Sequence, residues 1–173
     1  MRDKKTERMV LTAVMIALTT VATMVLTIPV VGTQGFVNFG DTVIFITAIF
    51  FGPQTALLAG GLGSALADVL LGYAHWAPYT LVIKALEGFV AGLLVYHMFG
   101  TEKIKWVRGM TGLFLGAVVM VAGYYVGGGI MYGFNVALVS IPENAFQGVV
   151  SAGVALLLGL ALSKLKLDVL KKN

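Results

Sequence analysis

Lys84 and Glu87 stand three residues apart inside the apolar run "WAPYTLVIKALEG", residues 76–88. At i and i+3 they project from one side of a helix, where they either neutralise each other or line a common polar surface. Charge at the centre of a bilayer costs roughly 2.5–3.5 kcal/mol or more per residue, so it needs a partner or a ligand. With a helix starting at Pro78, Lys84 lies about 9 Å and Glu87 about 14 Å along the axis, too deep for easy snorkelling. Asp41, Asp68 and Glu143 are the other ionisable groups inside apolar segments. Asn38, Asn135, Asn144 and Gln147 add amides, and Trp76, Tyr124, Tyr125 and Tyr132 add aromatic faces with polar edges. That mixture suits capture of a small polar ring rather than bond-making chemistry.

The elements that carry these groups are membrane spans. The chain has 173 residues, 58% hydrophobic and 12% charged, against about 25% charged in an ordinary soluble domain. A chain with mean hydropathy +0.93 cannot cover a globular surface with polar groups. Six segments are apolar enough to be read as spans: 9–28, 41–52, 55–72, 78–98, 109–133 and 142–163. The first is too long for the apolar core of a secretory signal and lacks a small-x-small site at its end. The second is short and draws on "FVNFG" before it. Pro53, Pro78 and Pro142 sit at expected helix starts, where a missing N–H costs nothing. The expected fold is therefore an all-α integral membrane protein, one domain over 1–173, with six transmembrane helices.

Charge fixes the expected orientation. Of twelve Lys and Arg, eleven fall in "MRDKKTER", "TEKIKWVR" and "KLKLDVLKK"; the twelfth is Lys84. With the N-terminus inside, segments 1–8, 99–108 and 164–173 hold all eleven, and the outside segments 29–40, 73–77 and 134–141 hold none. The positive-inside rule then makes both termini cytoplasmic. In that frame the polar groups gather in the outer halves of the helices, and the inner halves carry almost none. A proton or ion pathway needs polar residues through the full depth, whereas a polar bowl over a sealed floor suits binding from outside.

Plainer roles stand beside the sharper ones. Lys84 and Glu87 also read as a self-neutralising pair that holds two helices in register. Asp41, after Gly40, reads first as a helix cap. Glu143 after Pro142 suits the dipole of a first helical turn. Trp76, Tyr73 and Tyr79 fit an interfacial aromatic belt. His97, near the inner interface, reads as structural. "GFVAG" (88–92), Gly112 with Gly116, and Ala13 with Ala17 match small-xxx-small helix contacts. Ala13, Ala17 and Thr20 form one stripe, which packs within the bundle or faces another membrane protein. "GYYVGGG" (123–129) reads as a flexible helical stretch that approaches a ligand or neighbour closely.

The absent motifs narrow the class. With no cysteine there is no disulfide, thiolate metal site or Cys nucleophile. No HExxH, P-loop or GxSxG occurs, and Asp68 or Glu87 as an intramembrane base has no surrounding constellation. No cofactor is expected.

The assembled pattern resembles the substrate-binding S component of an energy-coupling factor (ECF) vitamin transporter. It is most similar to the hydroxymethylpyrimidine/pyridoxine group of the riboflavin-type superfamily. The likeness covers the whole chain: the Ala-xxx-Ala first helix, "GFVNFGD", and "FFGPQTALLAGGLGSALADVLLGYAHWAPYTLVIKALEG". It implies a bundle that binds a vitamin or precursor near its outer face. One membrane coupling subunit and two ATPase subunits would drive release inside, with ATP hydrolysis in those partners. It implies that Ala13 and Ala17 meet the coupling subunit, and that residues around 32–40 form a lid. The expected substrate contacts are Lys84, Glu87, Trp76, Asn38, Asp68, Tyr124, Tyr125, Glu143, Asn144 and Gln147. Pantothenate or riboflavin is the alternative ligand, and a stand-alone channel or proton-coupled carrier the alternative class.

Overall fold

The computed structural model describes residues 3–25, 27–30, 35–96, 98–99 and 103–164. His97, the C-terminal Lys cluster beyond residue 164 and residues 32–34 of the expected lid lie outside them. Helix α1 (Lys4–Val25) leads into strands β1 (Thr27–Val30) and β2 (Gly35–Asn38). Helices α2 (Gly40–Leu70), α3 (Ala77–Val95), α4 (Lys103–Tyr132), a short α5 (Phe134–Ala137) and α6 (Ser140–Lys164) follow. Among the described residues five helices are long and apolar enough to cross a membrane.

The antiparallel hairpin, with Ile28 opposite Val37 and Pro29 opposite Phe36, departs from the expected first span, which ran to residue 28. Pro29 lacks an N–H and pushes Ile28 out of helical geometry, and β-branched Thr27 and Ile28 accept an extended backbone readily. The helix therefore stops at Val25 and the chain turns across the end of the bundle. The later boundaries differ by less, except that α4 starts at Lys103, so its cationic cluster is part of the helix rather than a loop.

The expected spans 41–52 and 55–72 meet in α2, which is broken at Gly52 (φ 81°, ψ −179°) immediately before Pro53. That backbone is open to glycine and strained for other residues. The arms on either side fold back on each other. Ile44 Cδ1 lies 3.3 Å from where a Cβ on Gly60 would sit, whereas sixteen residues of unbroken helix would separate them by about 24 Å.

Small residues let the remaining helices close on this hairpin. A Cβ at Gly60 would fall 2.5 Å from the Lys84 carbonyl oxygen, and one at Gly88 2.5 Å from that of Ala56. Gly112 and Gly116 turn toward Leu94 and Ala91 in the same way. Both motifs are therefore helix contacts, the "GFVAG" glycines against backbone atoms and Gly112 and Gly116 against side-chain carbons of the facing helix. The stretch 123–129 is unbroken helix, with Gly123 against Ile83 and Gly127 against Tyr79. On α1 the stripe divides: Thr20 is buried and donates to the Gly63 carbonyl at 2.9 Å, while Ala13 and Ala17 are exposed.

The two ends of the bundle differ in character. Arg8 donates to Gln54 beside the Gly52 break, and Arg108 donates to the Leu93 carbonyl at 2.7 Å. Above this cationic end Phe45, Ile49, Phe50, Val95, Met98 and Leu113 pack into an apolar core. Asp41, Asp68, Lys84, Glu87, Asn144 and Gln147 are buried toward the opposite end.

Candidate functional site

Helix α3 presents Thr80, Lys84, Glu87 and Ala91 inward at spacings of four, three and four residues, while Leu81, Val82, Leu86 and Leu93 face outward. Helical periodicity alone thus places both charges in the interior. Lys84 is 1% exposed and Glu87 0%, and the Lys84 ammonium contacts Glu87 Oε2 at 2.9 Å. It also pairs with Asp41 Oδ1, from the first turn of α2. The other Asp41 oxygen accepts from Gln147 Nε2 of α6 at 2.7 Å. Gln147 Oε1 in turn accepts the backbone N–H of Asn38 at 2.6 Å. One chain of polar contacts thus joins α3, the start of the first arm of α2, α6 and the last residue of the hairpin. The expected cap role of Asp41 does not hold: Asn38 Oδ1 instead takes the Gly40 N–H at 2.8 Å. An Asp41 carboxylate facing a buried ammonium gains more than it would from a backbone N–H that Asn38 already satisfies.

A cavity of about 30 Å³ lies above this network. Its wall includes Asn38, Asp68, Trp76, Tyr124 and Asn144, together with Phe36 from β2. Trp76 forms an aromatic corner, 5.7 Å from Tyr124 edge to face and 6.1 Å from Tyr132 between centroids. The Tyr124 ring also lies 5.5 Å from the Lys84 ammonium, so it separates the cavity from the ion pairs by one aromatic layer.

Of the ten expected substrate contacts, the fold brings Asn38, Asp68, Trp76, Tyr124 and Asn144 together on the cavity wall. Lys84, Glu87 and Gln147 belong to the network beneath. Tyr125 lies against Phe134 at 5.7 Å, and Glu143, half-buried in the first turn of α6, is also off the wall. Thr23, Ser64, Thr80 and Ser140 line the cavity without having been singled out as contacts. Helical spacing carried a signal for two of them, since Ser64 precedes Asp68 by one turn and Thr80 precedes Lys84 by one turn. Thr23 and Ser140 carried none, because their partners are distant in sequence.

Comparison with known proteins bears on the family of the chain. Residues 3–164 match the family model described as ECF-type riboflavin transporter, S component. The "uncharacterized protein in gap 3'region" of Pyrococcus woesei is 42% identical over 130 residues, 75% of this chain and 84% of its own length. The "thiamine precursor transporter HmpT" of Lactococcus lactis subsp. cremoris (strain MG1363) is 30% identical over 151 residues, 87% of this chain and 84% of its own length. A match of this extent, on a helical bundle with one polar end, makes the chain a member of the ECF-type riboflavin transporter S component family.

Proposed function

We propose that this chain captures a small vitamin precursor from outside the cell, a hydroxymethylpyrimidine or pyridoxine-like ring, and hands it to an ATP-driven coupling module. The observation that carries this reading is the cavity itself: a wall of amides, hydroxyls, one carboxylate and an aromatic corner, above an apolar core. The relative named thiamine precursor transporter HmpT supports the substrate class.

In this reading the chain crosses the membrane six times, with the two arms of α2 as separate crossings and both termini cytoplasmic. The described cations other than Lys84 lie toward the ends of α1, α4 and α6 remote from the cavity, in accord with cytoplasmic placement of positive charge. The cavity then opens outward. Its present volume of about 30 Å³ is far below the roughly 300 Å³ of an ordinary ligand site. Admission of a ring therefore requires the hairpin to move away from the start of α6. Asn38, Asp68, Trp76, Tyr124 and Asn144 are the proposed ligand contacts, and Lys84, Glu87 and Gln147 hold the floor and the hairpin beneath them. The exposed Ala13 and Ala17 are the proposed contact with the membrane coupling subunit, which two ATPase subunits drive. The apolar core under the cavity weighs against a stand-alone channel.

Mass spectrometry of the ligand that co-purifies with the full chain, followed by titration calorimetry with that compound, tests the proposal. A pyrimidine or pyridine vitamin precursor bound one to one is expected. Uptake by the chain expressed without ATPase partners, insensitive to ATP depletion, would overturn it in favour of a carrier.

A further inference from the structure

Asp68 sits near the end of the second arm of α2, 4% exposed. Its Oδ2 is buried with no hydrogen-bond partner, and the residue lines the cavity. It is the one formally charged residue on that wall. Lys84 is committed to Asp41 and Glu87, so no ion pair neutralises Asp68 among the described residues. Of the neighbouring hydroxyls Thr80 is hydrogen-bonded to this carboxylate, and Oδ2 still has no partner. Thr23 donates to the Thr19 carbonyl at 2.8 Å, and Ser140 to that of Ala137 at 2.8 Å. Tyr124 donates to Thr80 at 3.3 Å. The protons of three wall hydroxyls are thus spent within the protein, and lone pairs remain toward the cavity. A buried acceptor left without a donor costs about 1–3 kcal/mol, more if charged, and a ligand that supplies N–H groups recovers it.

We propose that Asp68 selects the ligand by its hydrogen-bonding edge. The cavity takes an aromatic heterocycle that presents two adjacent N–H donors, as a 4-aminopyrimidine does through its exocyclic amine and protonated ring nitrogen. This rests on the reading of the cavity as a vitamin-precursor site and narrows the ring within that class. The two N–H groups meet the two carboxylate oxygens in parallel, a charge-assisted bidentate pair that holds one proton between ring nitrogen and carboxylate. A 4-oxo ring sets its carbonyl oxygen against the carboxylate, and pyridoxine presents no amine beside its ring nitrogen. Anionic ligands such as pantothenate meet a negative wall.

The test is calorimetric titration of the detergent-solubilised full chain with 4-amino-5-hydroxymethyl-2-methylpyrimidine, its 4-oxo counterpart and pyridoxine. The wild type is expected to prefer the amino ring over the oxo ring by about thirtyfold or more, a difference of about 2 kcal/mol. In Asp68→Asn the preference should fall below about threefold, because a carboxamide offers one donor and one acceptor and complements either edge. A purely structural Asp68 would leave that ratio unchanged, and retention of the preference in Asp68→Asn overturns the assignment. So does a wild type that binds the oxo ring or pyridoxine as tightly as the amino ring, a result that leaves the vitamin-precursor reading standing and needs no variant to fold. A wild type that binds none of the three overturns both.

Discussion

Replacing Lys84 by Met keeps the length of the side chain and removes its charge. Asp41 and Glu87, both 0% exposed, would then face each other with no cation between them. Asp41 would keep only its bond from Gln147, and Glu87, whose Oε1 already has no partner, would lose its remaining contact. Removing one partner of a buried ion pair costs about 3–5 kcal/mol. For a chain of this length each kcal/mol is worth roughly 2–4 °C in Tm, so Lys84→Met should melt roughly 6–20 °C lower. Neutralising the carboxylates as well, in Lys84→Met/Asp41→Asn/Glu87→Gln, should recover more than half of that loss, because exchanging a whole buried ion cluster for neutral groups is often close to neutral. Thermal unfolding in lipid nanodiscs, followed through Trp76 and Trp106 fluorescence, reads both values. A Lys84→Met shift of less than about 2 °C, or a triple variant no more stable than the single one, would refute the reasoning that these charges hold the bundle.

Gln147→Ala cuts the link between Asp41 and the Asn38 N–H, so ligand dissociation, read by stopped-flow Trp fluorescence, should quicken by about tenfold; an unchanged rate argues against the hairpin as the closing element. Gly88→Ala puts a methyl 2.5 Å from the Ala56 carbonyl oxygen and should cost about 1–3 kcal/mol in a denaturant or thermal titration, and wild-type stability would show that the helices part without penalty. Ala17→Trp lies on the exposed face of α1 and should abolish ATP-driven uptake by the full complex while calorimetric ligand affinity stays within about twofold of wild type; loss of affinity would place that face inside the bundle.

Much of the organisation is legible from residue order because it depends on composition and local period. Apolar runs marked the helices, Pro53 and Pro78 marked where helices start, and Gly88 with Gly92 marked a face of close approach. The hairpin is not legible in the same way, because its signal, Thr27-Ile28-Pro29, hides at the end of an apolar run that is long enough to continue as helix. Asp41 reads locally as a cap because a carboxylate beside a helix start ordinarily is one, and nothing local reveals an ammonium 43 residues away.

The sequence by itself determined the solvent, the segregation of cations and the gathering of polar side chains toward one end, since each follows from what lipid tolerates residue by residue. The tertiary structure decided which of those polar groups face a cavity and which are consumed within the protein. Lys84 meets Asp41, and Gln147 reaches both Asp41 and the hairpin across 106 and 109 residues of chain. Such pairings depend on how each helix is rotated about its axis and how deeply it is set, and glycine contacts between distant segments fix both. For that reason the conspicuous pair Lys84 and Glu87 lies beneath the cavity, and Asp68, one carboxylate among several in the sequence, stands on its wall with an oxygen unmatched.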